Sequence, residues 1–184
     1  MITTILKRVA TIATVAVALS ATAHAQRMGS SNRNAPTVTQ SIAFPSATIE
    51  LSYTAITWSG GQWKAALDNE ASRADQRTRI NGAAEKTPLG TLKLPAAMNF
   101  GATKVAAGTY KVAFTLDEKF KWQLSLTGEA GATQIPLELK ACDEDCKRLA
   151  LGLRAGEKDA TAELVIAFGK ERCGLAVAAA PAAG

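Results

Sequence analysis

Residues 109–127 read TYKVAFTLDEKFKWQLSLT, and their pattern decides the fold. Outside the central Asp117-Glu118-Lys119, every even position is apolar: Tyr110, Val112, Phe114, Leu116, Phe120, Trp122, Leu124 and Leu126. A period of two is that of a β-strand with one buried face. The acidic and basic triplet between the two halves marks a hairpin. Residues that face each other across a hairpin share a sheet face, so even positions must pair with even positions. A three-residue loop, Asp117-Glu118-Lys119, satisfies this by pairing Leu116 with Phe120, Phe114 with Trp122 and Val112 with Leu124. A five-residue loop also keeps the parity, whereas four would turn Lys121 into the core. Two strands alone are marginal in water, so the hairpin requires more strands behind it.

The flanking sequence supplies them. Ile49, Leu51 and Tyr53 alternate with polar residues in a strand beginning at Ala47, which ends at Ser59-Gly60-Gly61. Leu92, Leu94, Met98 and Phe100 keep one parity, and 103–105 leads through Ala107-Gly108 into the hairpin. Further strands are expected over 134–141, 148–154, 161–168 and 173–178, joined by short polar turns. Such spacing indicates an all-β fold, an antiparallel sandwich of about eight to nine strands. Residues 62–80 break the pattern. They are polar and Ala-rich, with apolar residues at three- and four-residue spacings, and predict a short amphipathic helix closed by an Asn81-Gly82 turn.

The ends have their own character. Lys7 and Arg8 precede an uncharged Ala/Val/Ile-rich run, and Ala23-His24-Ala25 offers a small-residue cleavage site. This is the pattern of a secretory signal peptide over 1–25, and the run is too short to span a bilayer. The chain is therefore expected to be periplasmic or secreted, cleaved after Ala25, with no stable membrane anchor. Residues 26–46 read as a flexible leader, ending in an edge strand near 41–44; residues 47–178 form the sandwich domain, and 179–184 an Ala/Pro tail.

The signal segment carries the chain's one histidine, His24. Its removal excludes catalytic triads and metal sites built on imidazole, and the usual general base near neutral pH. The chain has 21 Lys and Arg against 16 Asp and Glu, a formal charge of +5 to which Lys7 and Arg8 contribute. The remaining basic residues are scattered, which is not the footprint of a nucleic-acid partner. No G-x-S-x-G, Walker loop or G-x-G-x-x-G is present, and no cofactor is implied.

Cys142-Asp-Glu-Asp-Cys146 is the most distinctive local motif. Placed across a hairpin in an exported chain, its thiols predict a disulfide, the alternative being a bridge from Cys173 to one of the two. A zinc site would need a second ligand pair, so no metal is expected. Cys173 shares parity with Leu175 and Val177 and should face inward.

The segment Val105-Ala-Ala-Gly-Thr-Tyr110, with its acidic turn and the Trp122 strand, resembles the domain of unknown function 2911 family. Arg79, Gly82, Ala83, Glu85 and Thr87 fall near a second family segment, with Thr78 and Ala84 departing from it and one residue inserted. The resemblance implies a secreted β-rich domain and lends no activity. A binding site, if carried, is expected on the irregular insert: Trp58 and Trp63 beside a glycine turn, with Arg79 and Glu85. The sequence thus points to an exported, non-catalytic module that binds a ligand or an envelope partner. The alternatives are a glycan hydrolase working through two of the carboxylates Asp68, Glu70, Asp75 and Glu85, and a purely structural envelope protein.

Overall fold

The computed structural model describes residues 34–44, 47–57, 67–158 and 160–180. The signal peptide, most of the leader, the last four residues, Trp58 and Trp63 lie outside the described residues. In chain order the elements are β1 (Thr37–Phe44), β2 (Ala47–Thr54), α1 (Glu70–Lys86), β3 (Gly90–Leu94), β4 (Met98–Phe100), β5 (Thr103–Val105), β6 (Gly108–Leu116), β7 (Trp122–Gly128), β8 (Gly131–Pro136), β9 (Lys140–Ala155) and β10 (Thr161–Ala179). The strands form two antiparallel sheets, ordered β1-β2-β3-β6-β7-β8 and β5-β4-β10-β9. This is the all-β, sandwich-like architecture that the alternation predicts, with one helix inserted between β2 and β3.

The inner faces supply one core. Ile49, Leu51, Leu92, Leu94, Leu124, Leu126 and Ile135 come from the larger sheet; Met98, Phe100, Leu151, Leu164, Ile166 and Val177 come from the smaller. One pair of sheet edges is stitched together. The Gln40 side-chain amide donates to the Leu151 carbonyl at 2.8 Å and accepts from the Leu153 amide at 3.0 Å. Leu149 N–H donates to the Ile56 carbonyl nearby, at 2.8 Å. The unpaired backbone of β9 is thus partly covered, which removes a template for edge-to-edge association. β1 starts at Thr37, four residues before the expected edge strand, and pairs with β2 along its whole length.

The central hairpin keeps its parity but has the longer loop. Leu116 pairs with Trp122, Phe114 with Leu124 and Val112 with Leu126. The cause lies in Asp117. Its carboxylate Oδ1 accepts the N–H of Lys119 at 2.8 Å and of Lys121 at 2.7 Å. Its own N–H donates to the Lys121 carbonyl at 2.9 Å. Aspartate favours such turns because its short acceptor reaches nearby amides. Phe120 then takes the left-handed position that closes the loop, at φ 59°. It leaves the strand, and the Arg73 guanidinium sits 5.1 Å from its ring centroid.

The Ala106–Tyr110 motif has a packing explanation. The Tyr110 hydroxyl donates to the Ala106 carbonyl at 2.9 Å. Its ring lies against Gly128, where an added Cβ would come within 2.8 Å of it. Those residues are spent on holding the start of β6.

Two local expectations are corrected. The helix runs over 70–86 rather than ending at 80, and Asn81-Gly82 lies inside it. Asn69 caps it, its side chain accepting from Ala71 N–H at 3.0 Å, and Glu70 and Lys86 complement the helix dipole at either end. The second correction concerns the cysteines. Cys142 and Cys146 lie on one strand, β9, and not across a hairpin; both are free, as is buried Cys173. The reversal expected there is a pair of register slips instead. Gly169 pairs with Cys146 and Glu171 with Ala141, so two residues of β10 span five of β9. Excess length in one strand is absorbed as a bulge, and Gly169, at φ 61°, accommodates it on β10. The segments expected as separate strands over 161–168 and 173–178 are consequently one strand. Arg172 braces the bulge through Glu144, with its Nη2 also 4.0 Å from Cys146 Sγ.

Candidate functional site

The helix lies on the outer face of the larger sheet and is held there mainly by polar contacts. Only Ile80 and Ala84 on it are buried. They face β6, where Ala113 is also buried although it belongs to the odd, outer set. Pairing of β3 with β6 ends at Val112, so beyond it β6 lacks a strand on that side. There the helix substitutes for one. The Asn81 amide accepts from Leu116 N–H at 2.8 Å and donates to the Leu116 carbonyl at 3.0 Å. Arg77, one turn earlier on the same helix face, donates from Nε to the same carbonyl at 3.2 Å.

This attachment leaves a groove of about 390 Å³ between α1 and strands β6–β8. Arg77, Asn81 and Glu85 line it from the helix; Thr115, Gln123, Ser125, Thr127 and Gln134 line it from the sheet; Asp117 and Glu118 stand at the turn. The sheet residues reach one face by alternation along β6, β7 and β8, and Thr115 pairs with Gln123 and Ser125 with Gln134. They form a connected array. Thr115 Oγ1 donates to Gln134 Oε1 at 2.9 Å, and Gln134 Nε2 donates to Ser125 Oγ at 3.0 Å. Ser125 is one of the few buried polar residues. The sheet wall is therefore uncharged yet rich in donors and acceptors, while the carboxylates sit at the rim. Of these, Asp117 is committed to its turn, leaving Glu85 and Glu118 exposed.

Of the residues expected to make a site, Glu85 is at the groove and Arg79 is not. Arg79 is exposed and forms no ion pair with Glu85. Six residues apart on a helix, the two are separated by roughly 120° around the axis and about 9 Å along it. Trp58 and Trp63 lie outside the described residues. Among the other acidic candidates, Glu70 pairs with Arg73 at 3.1 Å and Asp75 is exposed away from the groove. The sheet residues of the groove were the ones sequence reasoning passed over. Their signal was present in the odd positions of the same hairpin. Thr115, Gln123, Ser125 and Thr127 are all uncharged, whereas a freely solvated face commonly carries Lys or Glu.

Besides Arg172, raised chiefly by its contact with Cys146, two groups elsewhere have raised pKa values. Burial pushes up both the Cys173 thiol and the Tyr53 hydroxyl; a hydrogen bond to the Glu138 backbone partly offsets it for the thiol. Neither lines the groove. Among the described residues no group of three or more Cys, Asp or Glu is placed to hold a metal ion, and no helix is long and apolar enough to cross a membrane. Compared with known proteins, the chain matches no family model, no curated protein and no solved structure.

Proposed function

We propose that the protein is an exported, non-catalytic β-sandwich module that binds a small, neutral, hydroxyl-rich ligand, such as a glycan segment, in the groove beneath α1. The observation that carries this reading is the uncharged hydrogen-bonding wall of Thr115, Gln123, Ser125, Thr127 and Gln134. Hydroxyl groups both donate and accept, and so do the amides and hydroxyls of this wall. The ends of the helix-to-sheet attachment are fixed by Asn81 and Arg77, so little ordering would accompany binding. The signal-like leader supports an exported role, and the likeness to the domain of unknown function 2911 family belongs to the same proposal. A groove at the insert weighs against a purely structural role.

The test is calorimetric titration of the protein with a panel of neutral oligosaccharides. We expect saturable binding of at least one member, weakened about tenfold in Gln134→Ala, with two hydrogen bonds at roughly 0.5–1.5 kcal/mol each at stake. The melting temperature of that exposed variant should stay within a few degrees of the parent. Absence of binding at millimolar ligand, or binding indifferent to Gln134→Ala, overturns the site. New reducing ends released by the protein, and lost in Glu85→Gln, would instead make it a glycan hydrolase.

A further inference from the structure

The end of the α1 groove beside the β6–β7 turn holds charges of both signs that do not pair with each other. Arg77 is half-buried and lines this groove. It spends Nε on the Leu116 carbonyl, while its Nη groups keep their N–H donors without a partner among the described residues. Asp117 follows Leu116 directly. Its Oδ1 is taken by the amides of the turn, and its Oδ2 is left over. Glu118 adds an exposed carboxylate. The guanidinium and the two carboxylates line one concavity, yet among the described residues they form no ion pair. Glu85 is remote from this corner, about 12 Å further along the helix axis.

We propose that this corner recognises an acetamido group, so that the ligand is a glycan containing N-acetylated amino sugars, a specificity that rests on the groove being a glycan site. A group seated between a guanidinium and carboxylates must accept from the one and donate to the other. An ammonium group would face the Arg77 cation, and a carboxylate or phosphate would face Asp117 and Glu118. A hydroxyl both accepts and donates, but from a single atom. A trans secondary amide carries its C=O and its N–H on opposite sides. It reaches both walls at once: the carbonyl accepts from Arg77 Nη, and the N–H donates to a carboxylate oxygen of the turn. Both bonds are charge-assisted, the stronger kind. Arg77 is already held through Nε, so little of its freedom is left to lose on binding.

The experiment is calorimetric titration with three trisaccharides of one β-linked backbone that differ only at the second carbon of each ring: N-acetylated chitotriose, its deacetylated form, and cellotriose. The N-acetylated trimer should bind about tenfold tighter than cellotriose, because bonds to charged partners replace those of one hydroxyl. In Arg77→Gln that preference should fall to within about twofold. A purely structural Arg77 would lower the melting temperature and leave the ratio unmoved. Equal binding of the N-acetylated trimer and cellotriose, tighter binding of the deacetylated trimer, or a preference that persists in Arg77→Gln overturns the acetamido specificity while leaving a glycan in the groove. No binding of the N-acetylated trimer overturns it too, and the glycan site itself then falls only if the whole neutral panel fails. Equal binding of trialanine, which has amides but no sugar ring, would overturn both.

Discussion

Replacing Asn81 by alanine should destabilise the protein far more than its place on a mostly exposed helix suggests. The side chain makes two hydrogen bonds to Leu116, which is 1% exposed. Its removal has unequal effects on the two backbone groups. The Leu116 carbonyl keeps the Arg77 donor at 3.2 Å, so only a net contribution of about 1 kcal/mol is lost there. The Leu116 N–H has no second acceptor and is left unsatisfied, which costs about 1–3 kcal/mol. Together these give about 2–4 kcal/mol, a large share of the roughly 5–15 kcal/mol typical of a domain. In a chain of this size that corresponds to a melting temperature lower by roughly 5–15 °C. Arg77→Ala alone should cost only about 0.5–1.5 kcal/mol, because Asn81 still serves the carbonyl. The double variant then orphans both groups, so its loss should exceed the sum of the singles by about 1 kcal/mol or more. Urea denaturation with an unchanged slope would measure all three. A loss under about 1 kcal/mol for Asn81→Ala, or strict additivity in the cycle, would refute the idea that this amide completes the sheet.

Two glycines should respond in opposite directions. A Cβ at Gly90 would lie 2.0 Å from the Ser52 carbonyl oxygen, which is backbone and cannot give way, so Gly90→Ala should cost about 3 kcal/mol or more, read by thermal melting. A Cβ at Gly82 would meet nothing within 4 Å, and Gly82→Ala in mid-helix should stabilise by about 0.5–1 kcal/mol. Thiol titration of unfolded, unreduced protein should find three free thiols; a count of one would restore the Cys142–Cys146 bridge. Because burial raises the Cys173 pKa, the folded state holds that proton more tightly than the unfolded one. Stability should therefore be full below the ordinary thiol pKa of about 8.5 and fall as pH rises from there through the folded value. A Cys173→Ala variant whose stability declined just as steeply over that range would contradict this.

What could be read from the sequence follows from what repeats. The even positions of the two strands, Tyr110 to Leu116 and Trp122 to Leu126, answer to one buried face, so seven residues vote on one question and the answer survives a misjudged loop. Moving the turn from 117–119 to 117–121 shifted each partner by two positions, so no predicted pair was kept but even residues still face even residues. Features resting on one residue were not legible in that way. Asn81-Gly82 has the composition of a turn, yet the Asn81 side chain finds its partner at Leu116, 35 positions away, and the helix continues through it. Cys142 and Cys146 have the spacing of a bridged hairpin. The excess length is absorbed as a bulge opposite Gly169, and no local signal distinguishes the two outcomes.

The groove beneath α1 is a consequence of how little of the helix is apolar. A helix with a broad apolar stripe settles onto a sheet and expels the space between them. Here burial is confined to Ile80 and Ala84, and the attachment is completed by Asn81 and Arg77 at a single residue, Leu116. The helix is thereby fixed at one end of the hairpin while Glu85, further along, reaches only the rim. The sheet beneath has answered in kind. Its outer positions carry hydroxyls and amides bonded to each other, in place of the apolar groups that a close-packed helix would demand. Both surfaces are thus suited to hydrogen-bonded contact across a gap, which is the physical basis for proposing the site there rather than at Arg79 on the solvent side of the same helix.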